Sequence, residues 1–140
     1  MSIVAKNTVT PLLLRLMLAA IFIYHGLELV GGQGHQWGAN WNPSLPAAAQ
    51  LAAAWGQLLG GIALALGFLT RLAALGIIAI MCGAIATVHW PHGFSVQNGG
   101  FEYNAAIIVM CLCLVLGGPG PIAVDRVFRL RRRAPESPPR

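Results

Sequence analysis

The chain has 140 residues, enough for one domain. It is 56% hydrophobic and only 9% charged, with a mean hydropathy of +0.68, whereas soluble domains average about 25% charged residues. This composition excludes a soluble fold and predicts an integral membrane protein. The net charge of +5 does not indicate nucleic-acid binding, because five arginines crowd positions 126–133 and the rest of the chain is almost uncharged. We therefore expect lipid, and no nucleic acid, as a partner.

Four apolar segments follow one another along the chain: Pro11–Val30, Ala47–Leu69, Leu72–Trp90 and Phe101–Gly117. A bilayer core needs about 20 helical residues, which the second segment provides easily and the fourth only with help from an interfacial aromatic residue. We expect the first segment to be retained, since it outruns a signal peptide without a clear cleavage site. The sequence predicts an all-α fold, a bundle of four transmembrane helices.

The remainder of the chain predicts two short additions to this bundle. Residues 122–130 alternate apolar and charged side chains and predict a short interfacial helix. Residues 131–140 are basic and rich in proline and predict a disordered tail. We thus expect a transmembrane domain over 1–130 followed by the tail over 131–140.

Small residues spaced by four mark candidate helix contacts. Such pairs are Gly56 with Gly60, Ala63 with Gly67, and Ala79 with Gly83. In lipid, small residues let helices approach closely, so these pairs predict a tightly packed bundle.

Basic residues predict the orientation. Lys6, Arg71 and the C-terminal arginines fall on one side of a bundle of four spans, and the loops over 31–45 and 91–100 contain no Lys or Arg. The positive-inside rule then places both termini in the cytoplasm. We expect a multi-pass protein of a bacterial inner membrane.

Arg15 is the most unusual residue, because it lies within the first apolar segment. An arginine at membrane depth costs roughly 3 kcal/mol or more unless it is paired. Either it snorkels toward the headgroups, or it pairs inward with an acid or a carbonyl oxygen. Glu28 lies about 20 Å away along the same helix, so Asp125 is the reachable acid. We expect Arg15, together with the other polar residues Gln57, Arg71 and Asp125, to have a structural role.

A second polar group is expected at the opposite face of the membrane. His25 and Glu28 share a helix face, His89 and His92 flank Pro91, and Glu102 and Tyr103 open the fourth segment. One interpretation is that these residues only solvate helix ends. The other is that His25, Glu28, His89, Glu102 and Tyr103 bind a ligand such as a quinone, or relay protons.

Metal binding is a weaker interpretation. His89 and His92 are candidate ligands, but Pro91 breaks the helical spacing that they would need. The three cysteines, Cys82, Cys111 and Cys113, all lie in apolar segments. They form neither a disulfide framework nor a redox pair, and we expect no covalently bound cofactor.

Several motifs together resemble one known family. They are Leu14-Arg15, His25-Gly26, the block Leu59–Arg71, Gly99-Gly100-Phe101-Glu102-Tyr103, and Gly118-Pro119-Gly120 followed by Asp125-Arg126. These motifs, spread over nearly the whole chain, resemble the DoxX family. The resemblance implies a four-helix membrane protein and a link to quinone-dependent oxidation, because the founding member is a subunit of a thiosulfate:quinone oxidoreductase.

Two positions depart from the family pattern. Members usually carry Glu where Gln57 stands, and a basic residue near Glu28. The sequence therefore favours activity only as a subunit of a quinone-dependent oxidoreductase, which binds quinone or supports a redox partner. The alternatives are a non-enzymatic scaffold or assembly subunit, and a membrane protein that handles small molecules or metals. The expected protein partners are other subunits of a membrane redox complex or further copies of the chain.

Overall fold

The computed structural model describes residues 3–32 and 37–126, the first five of them by their backbone. Its elements are helices α1 (Ile3–Gly31), α2 (Ala47–Leu66), α3 (Thr70–Ala84) and α4 (Glu102–Gly117). A π-helical turn (Ile85–His89) and a 3-10 turn (Trp90–His92) extend α3, and a second 3-10 turn (Val96–Asn98) precedes α4. The predicted all-α fold is confirmed.

Three helical stretches are long and apolar enough to cross a membrane: Thr8–Gly31, Ala47–Leu66 and Thr70–His92. Helix α4 is also apolar but shorter, as its sequence predicted. The structure is therefore compatible with the predicted four-helix membrane bundle.

Some predicted helix boundaries were wrong. Helix α1 begins at Ile3, well before Pro11, which lies inside it; the missing N–H of a proline removes only one helical hydrogen bond. Helix α2 ends at Leu66, because Gly67 takes the left-handed conformation (φ 67°) and Phe68 N–H donates to Ala63 O (2.9 Å), as in a Schellman motif.

The third and fourth segments also differ in detail. Helix α3 begins at Thr70 rather than Leu72, and helical structure continues through Pro91 to His92 as a 3-10 turn. Of the predicted interfacial helix over 122–130, residues 124–126 are helical, and residues 127–130 lie outside the described residues. The predicted tail over 131–140 lies outside the described residues.

The core lies along the centre of the bundle and combines residues from α1, α2, α3 and α4. Its fully buried apolar side chains are Leu18, Phe22, Leu64, Ala74, Ile77, Ile107, Cys111 and Leu114. The spacing of Thr70, Ala74, Ile77 and Met81 on α3 is that of one helix face. This core separates two polar ends, which we call the Arg15 end (Arg15, Gly67, Pro119 and Asp125) and the histidine end (His25, His89 and Gly99).

Glycines bring the helices together, although not always those expected. A Cβ added at Gly26 would lie 2.5 Å from Leu58 N, and one at Gly61 would lie 2.8 Å from Ile23 N. These two glycines therefore allow the backbones of α1 and α2 to touch.

The predicted small-residue pairs have mixed outcomes. Gly56 and Gly60 lie against Ile80 and Ile77 of α3. The prediction of a contact through Ala79 and Gly83 was wrong: Ala79 is exposed, and a Cβ at Gly83 would have nothing within 4 Å. Spacing alone does not tell which side of a helix faces a neighbour.

Candidate functional site

Arg15 is 2% exposed, and among the described residues the acceptors of its hydrogen bonds are all backbone carbonyls. Its Nε binds Leu64 O (2.9 Å) and its Nη2 binds Ala65 O (3.0 Å), both at the end of α2. Its Nη1 binds Pro119 O (3.0 Å) and Ile122 O (2.5 Å), in the segment after α4. The last carbonyls of a helix lack a full set of helical partners. Leu64 O also accepts from Gly67 N–H (3.2 Å), so the guanidinium adds a second donor there and supplies one to Ala65 O.

Asp125 binds the turn between α2 and α3. Its Oδ1 accepts from Leu69 N–H (2.7 Å), its Oδ2 accepts from Thr70 N–H (2.9 Å), and its own N–H donates to Gly67 O (2.9 Å). A carboxylate at a helix N-terminus satisfies free N–H groups and complements the helix dipole. It also holds Leu69 in the left-handed conformation (φ 48°), which is unfavourable for a non-glycine residue.

The hydrogen bonds of the Arg15 end join α1, the turn between α2 and α3, and the segment after α4. Arg15 and Asp125 attract each other electrostatically, but each uses its hydrogen bonds on backbone groups rather than on the other. Arg71 is exposed and lies beside Gly118. A Cβ at Gly67 would lie 2.5 Å from Arg15 Nη2, so the guanidinium can pack against this turn only because the residue is glycine.

The histidine end contains a cavity of about 260 Å³ where all four helices meet the loop between α3 and α4. Its polar lining comes from His25 of α1, Gln57 of α2, His89 at the end of α3, and Tyr103 and Asn104 of α4. The apolar lining residues include Ile21, Phe22, Met81, Ala84, Val96 and Ile107. Such a mixture of apolar walls and a few polar groups is typical of a small-molecule site.

The loop wall of the cavity is fixed by hydrogen bonds. Phe101 N–H donates to Gly93 O (3.1 Å), Gly100 N–H to Ser95 O (2.9 Å), and Gly99 N–H to Val96 O (3.0 Å). A Cβ at Gly100 would collide with Gly93 O. Only glycine fits at this position, which explains part of the Gly99-Gly100 sequence.

Three of the predicted ligand-binding residues line the cavity: His25, His89 and Tyr103. The two glutamates do not. Glu28 lies 3.4 Å from His25 Nδ1, and both side chains are about half exposed. The Glu102 carboxylate accepts from Val96 N–H (3.0 Å) and so holds the loop. Gln57, for which we expected a structural role, also lines the cavity.

Asn104 is the cavity residue that the sequence analysis missed. It is 6% exposed, and its Nδ2 donates to Met81 Sδ at 3.5 Å. A thioether is a weak acceptor, and an amide has a second N–H and a carbonyl oxygen, so the side chain keeps bonding capacity for a ligand. The signal available in the sequence was an amide one residue after Tyr103, at the start of an otherwise apolar segment.

Gln50 was also missed, and its role is structural. It is 4% exposed; its Oε1 accepts from Trp41 and Asn42 N–H groups, and its Nε2 donates to Leu45 O (2.8 Å). One buried amide thereby orders the loop before α2.

The described residues hold no group of three or more His, Cys, Asp or Glu side chains that would bind a metal ion. The weak metal candidates face different carbonyls: His89 Nδ1 lies 2.6 Å from Gly99 O, and His92 Nδ1 lies 3.1 Å from Val88 O.

Comparisons with known proteins agree with the motifs in the sequence. The DoxX family model matches residues 10–90. An uncharacterized protein of Haemophilus influenzae is 29% identical in an alignment of 129 positions that covers 86% of this chain and 84% of the relative. No solved structure matches the chain significantly.

Proposed function

Because the chain belongs to the DoxX family of membrane proteins, we propose that its cavity binds the ring of a lipid-soluble quinone. The observation that carries this proposal is the set of five polar side chains that line one small cavity in an apolar bundle: His25, Gln57, His89, Tyr103 and Asn104. A volume of about 260 Å³ suits one substituted ring rather than a larger ligand.

The lining chemistry supports a cyclic ligand with oxygen atoms on opposite sides. Asn104 from α4 and Gln57 from α2 carry amide N–H groups that can donate to a carbonyl, and Tyr103 carries a phenolic O–H. Phe22, Met81 and Ile107 offer apolar contacts for the ring. A ligand that dissolves in lipid would reach such a cavity from the membrane.

Imidazole, amide and phenol groups bind and orient a quinone, but electrons must come from a cofactor. We therefore propose that the protein acts with a redox partner subunit, in a bacterial inner membrane with the histidine end outward. The absence of Lys and Arg from the loops at the histidine end supports that orientation.

Binding of short-chain ubiquinone to the purified protein in detergent tests the proposal. Asn104→Leu keeps a side chain of similar size and removes the hydrogen bonds, so we expect affinity to fall about threefold to tenfold. The control is Asn98→Leu, at an exposed amide on the loop that does not line the cavity; its affinity should equal that of the wild type.

Two results would contradict the proposal. One is a wild-type protein that binds no quinone, and the other is equal loss of affinity in the Asn104 and Asn98 variants. Either result would favour the alternative of a non-enzymatic scaffold subunit, in which the polar groups of the cavity only stabilise the bundle.

A further inference from the structure

The π-helical turn at the end of α3 determines which residue faces the cavity. Buried positions on α3 recur at Thr70, Ala74, Ile77 and Met81, and the same spacing would bring residue 84 and then residue 88 inward. The π turn over Ile85–His89 accommodates one additional residue. As a result Val88 is 38% exposed, and His89 lines the cavity.

The loop then fixes the hydrogen on the His89 ring. His89 Nδ1 lies 2.6 Å from Gly99 O, and a carbonyl oxygen only accepts hydrogen bonds. Nδ1 must therefore carry the hydrogen. In a neutral imidazole the other nitrogen, Nε2, is then an acceptor.

The position of Gly99 O is itself held by the loop. Gly99 N–H donates to Val96 O (3.0 Å), and the next residue, Gly100, donates to Ser95 O (2.9 Å). The ring of His89 cannot turn over without losing its bond to this carbonyl. The tautomer is thus a property of the fold rather than of the ligand.

We infer that the cavity prefers the hydroxyl-bearing, reduced form of its ligand, a hydroquinone, whose O–H donates to His89 Nε2. This inference rests on the proposed quinone site and adds the redox state that the site favours. A quinone carbonyl placed at neutral His89 would leave two acceptors facing each other, which loses the bond and leaves polar atoms unpaired. A hydroquinone O–H pairs with Nε2 and its oxygen still accepts from the amide of Asn104 or Gln57.

The preference is measurable as the ratio of two affinities. Short-chain ubiquinol and ubiquinone would be titrated separately into the purified protein, without oxygen, at about pH 8.5, above the range in which histidine side chains usually change charge. We expect ubiquinol to bind about tenfold more tightly, the ratio that one lost hydrogen bond with unpaired acceptors gives.

His89→Phe keeps a ring and removes Nε2, so the ratio should fall close to one. His92→Phe is the matched control: His92 also flanks Pro91, but it does not line the cavity, and its ratio should stay at the wild-type value. Spectra of protein labelled with nitrogen-15 in histidine report the tautomer independently, and they should show a neutral His89 with hydrogen on Nδ1.

The outcomes separate this inference from the proposed function. If neither form binds, the proposed quinone site is wrong. If both forms bind equally to the wild type, if ubiquinone binds more tightly, or if His89→Phe retains the preference, the site stands and the inference about redox state is wrong. The wild-type ratio decides the matter even if His89→Phe does not fold.

Discussion

At the scale of single residues, Arg15 shows how a charge can be buried in a membrane protein with its hydrogen bonds on backbone carbonyls rather than on a carboxylate. Its guanidinium donates four hydrogen bonds to carbonyls at the end of α2 and after α4. A planar group with five donors can reach acceptors in several directions. Arg15 therefore joins three segments that are far apart in sequence.

The first prediction replaces Arg15 by Leu and by Lys. Arg15→Leu removes four hydrogen bonds to backbone carbonyls and should destabilise the fold by about 3 kcal/mol or more. Arg15→Lys keeps the charge but concentrates its donors on one atom, so its stability should lie between those of Leu and the wild type. Thermal unfolding in detergent measures both effects.

Arg71→Leu is the control for this pair. Arg71 lies at the same end of the bundle but is exposed, so its loss should change stability by less than about 0.5 kcal/mol. If Arg15→Leu unfolds at the wild-type temperature, Arg15 does not stabilise the fold. If that variant also loses quinone binding, Arg15 belongs to the binding site.

Single residues were also where the sequence was least informative. That Arg15 was out of place followed from its apolar surroundings, but its carbonyl partners at Leu64 and Pro119 depend on how the chain folds back. Asn104 was missed for the same reason, since an amide near a helix end is unremarkable until Met81 and Ile107 are seen around it. Composition finds an unusual residue, and only the fold supplies its neighbours.

At the scale of elements, the helices followed from hydropathy, but their contacts did not. Apolar runs predict helices because a backbone in lipid must satisfy its own hydrogen bonds. They do not give the π turn over Ile85–His89, because nothing in its composition distinguishes it from an α-helical turn. Nor do they distinguish Gly61, where an added Cβ would collide with α1, from Gly83, where an added Cβ would meet nothing within 4 Å.

The second prediction tests the crossing of α1 and α2. An alanine at Gly26 or Gly61 would place its Cβ 2.5 or 2.8 Å from backbone nitrogen atoms of the facing helix. A backbone atom cannot rotate aside, so each variant should lose about 2 kcal/mol or more. Chemical or thermal unfolding in detergent measures the loss.

Gly83→Ala is the matched control on α3. A Cβ there meets nothing within 4 Å, and alanine favours a helix over glycine by up to about 1 kcal/mol. This variant should be as stable as the wild type or slightly more stable. Equal losses at Gly26 and Gly83 would show that the crossing of α1 and α2 is not where the structure places it.

At the scale of the whole molecule, the two polar ends use their polar groups in different ways. The Arg15 end uses its polar groups on backbone atoms, whereas the histidine end leaves polar groups around a cavity. The hydrogen bonds at the Arg15 end fix the relative positions of α1, α2 and α3. Those positions define the cavity walls at the histidine end. The direction in which each end faces then decides which compartment the cavity opens toward.

The last prediction concerns that direction. Ser44 is exposed in the loop at the histidine end, and Arg126 is exposed at the Arg15 end. We expect Ser44→Cys to react with a membrane-impermeant maleimide in intact spheroplasts, and Arg126→Cys to react only after the membrane is permeabilised. The reason is that Lys6, Arg71 and the C-terminal arginines should be retained in the cytoplasm. The wild-type protein measures the background labelling of the native cysteines. These are Cys82, Cys111 and Cys113, which lie within helices α3 and α4. The reverse labelling pattern, or labelling of both variants in intact spheroplasts, would contradict the prediction that the cavity opens on the outer side.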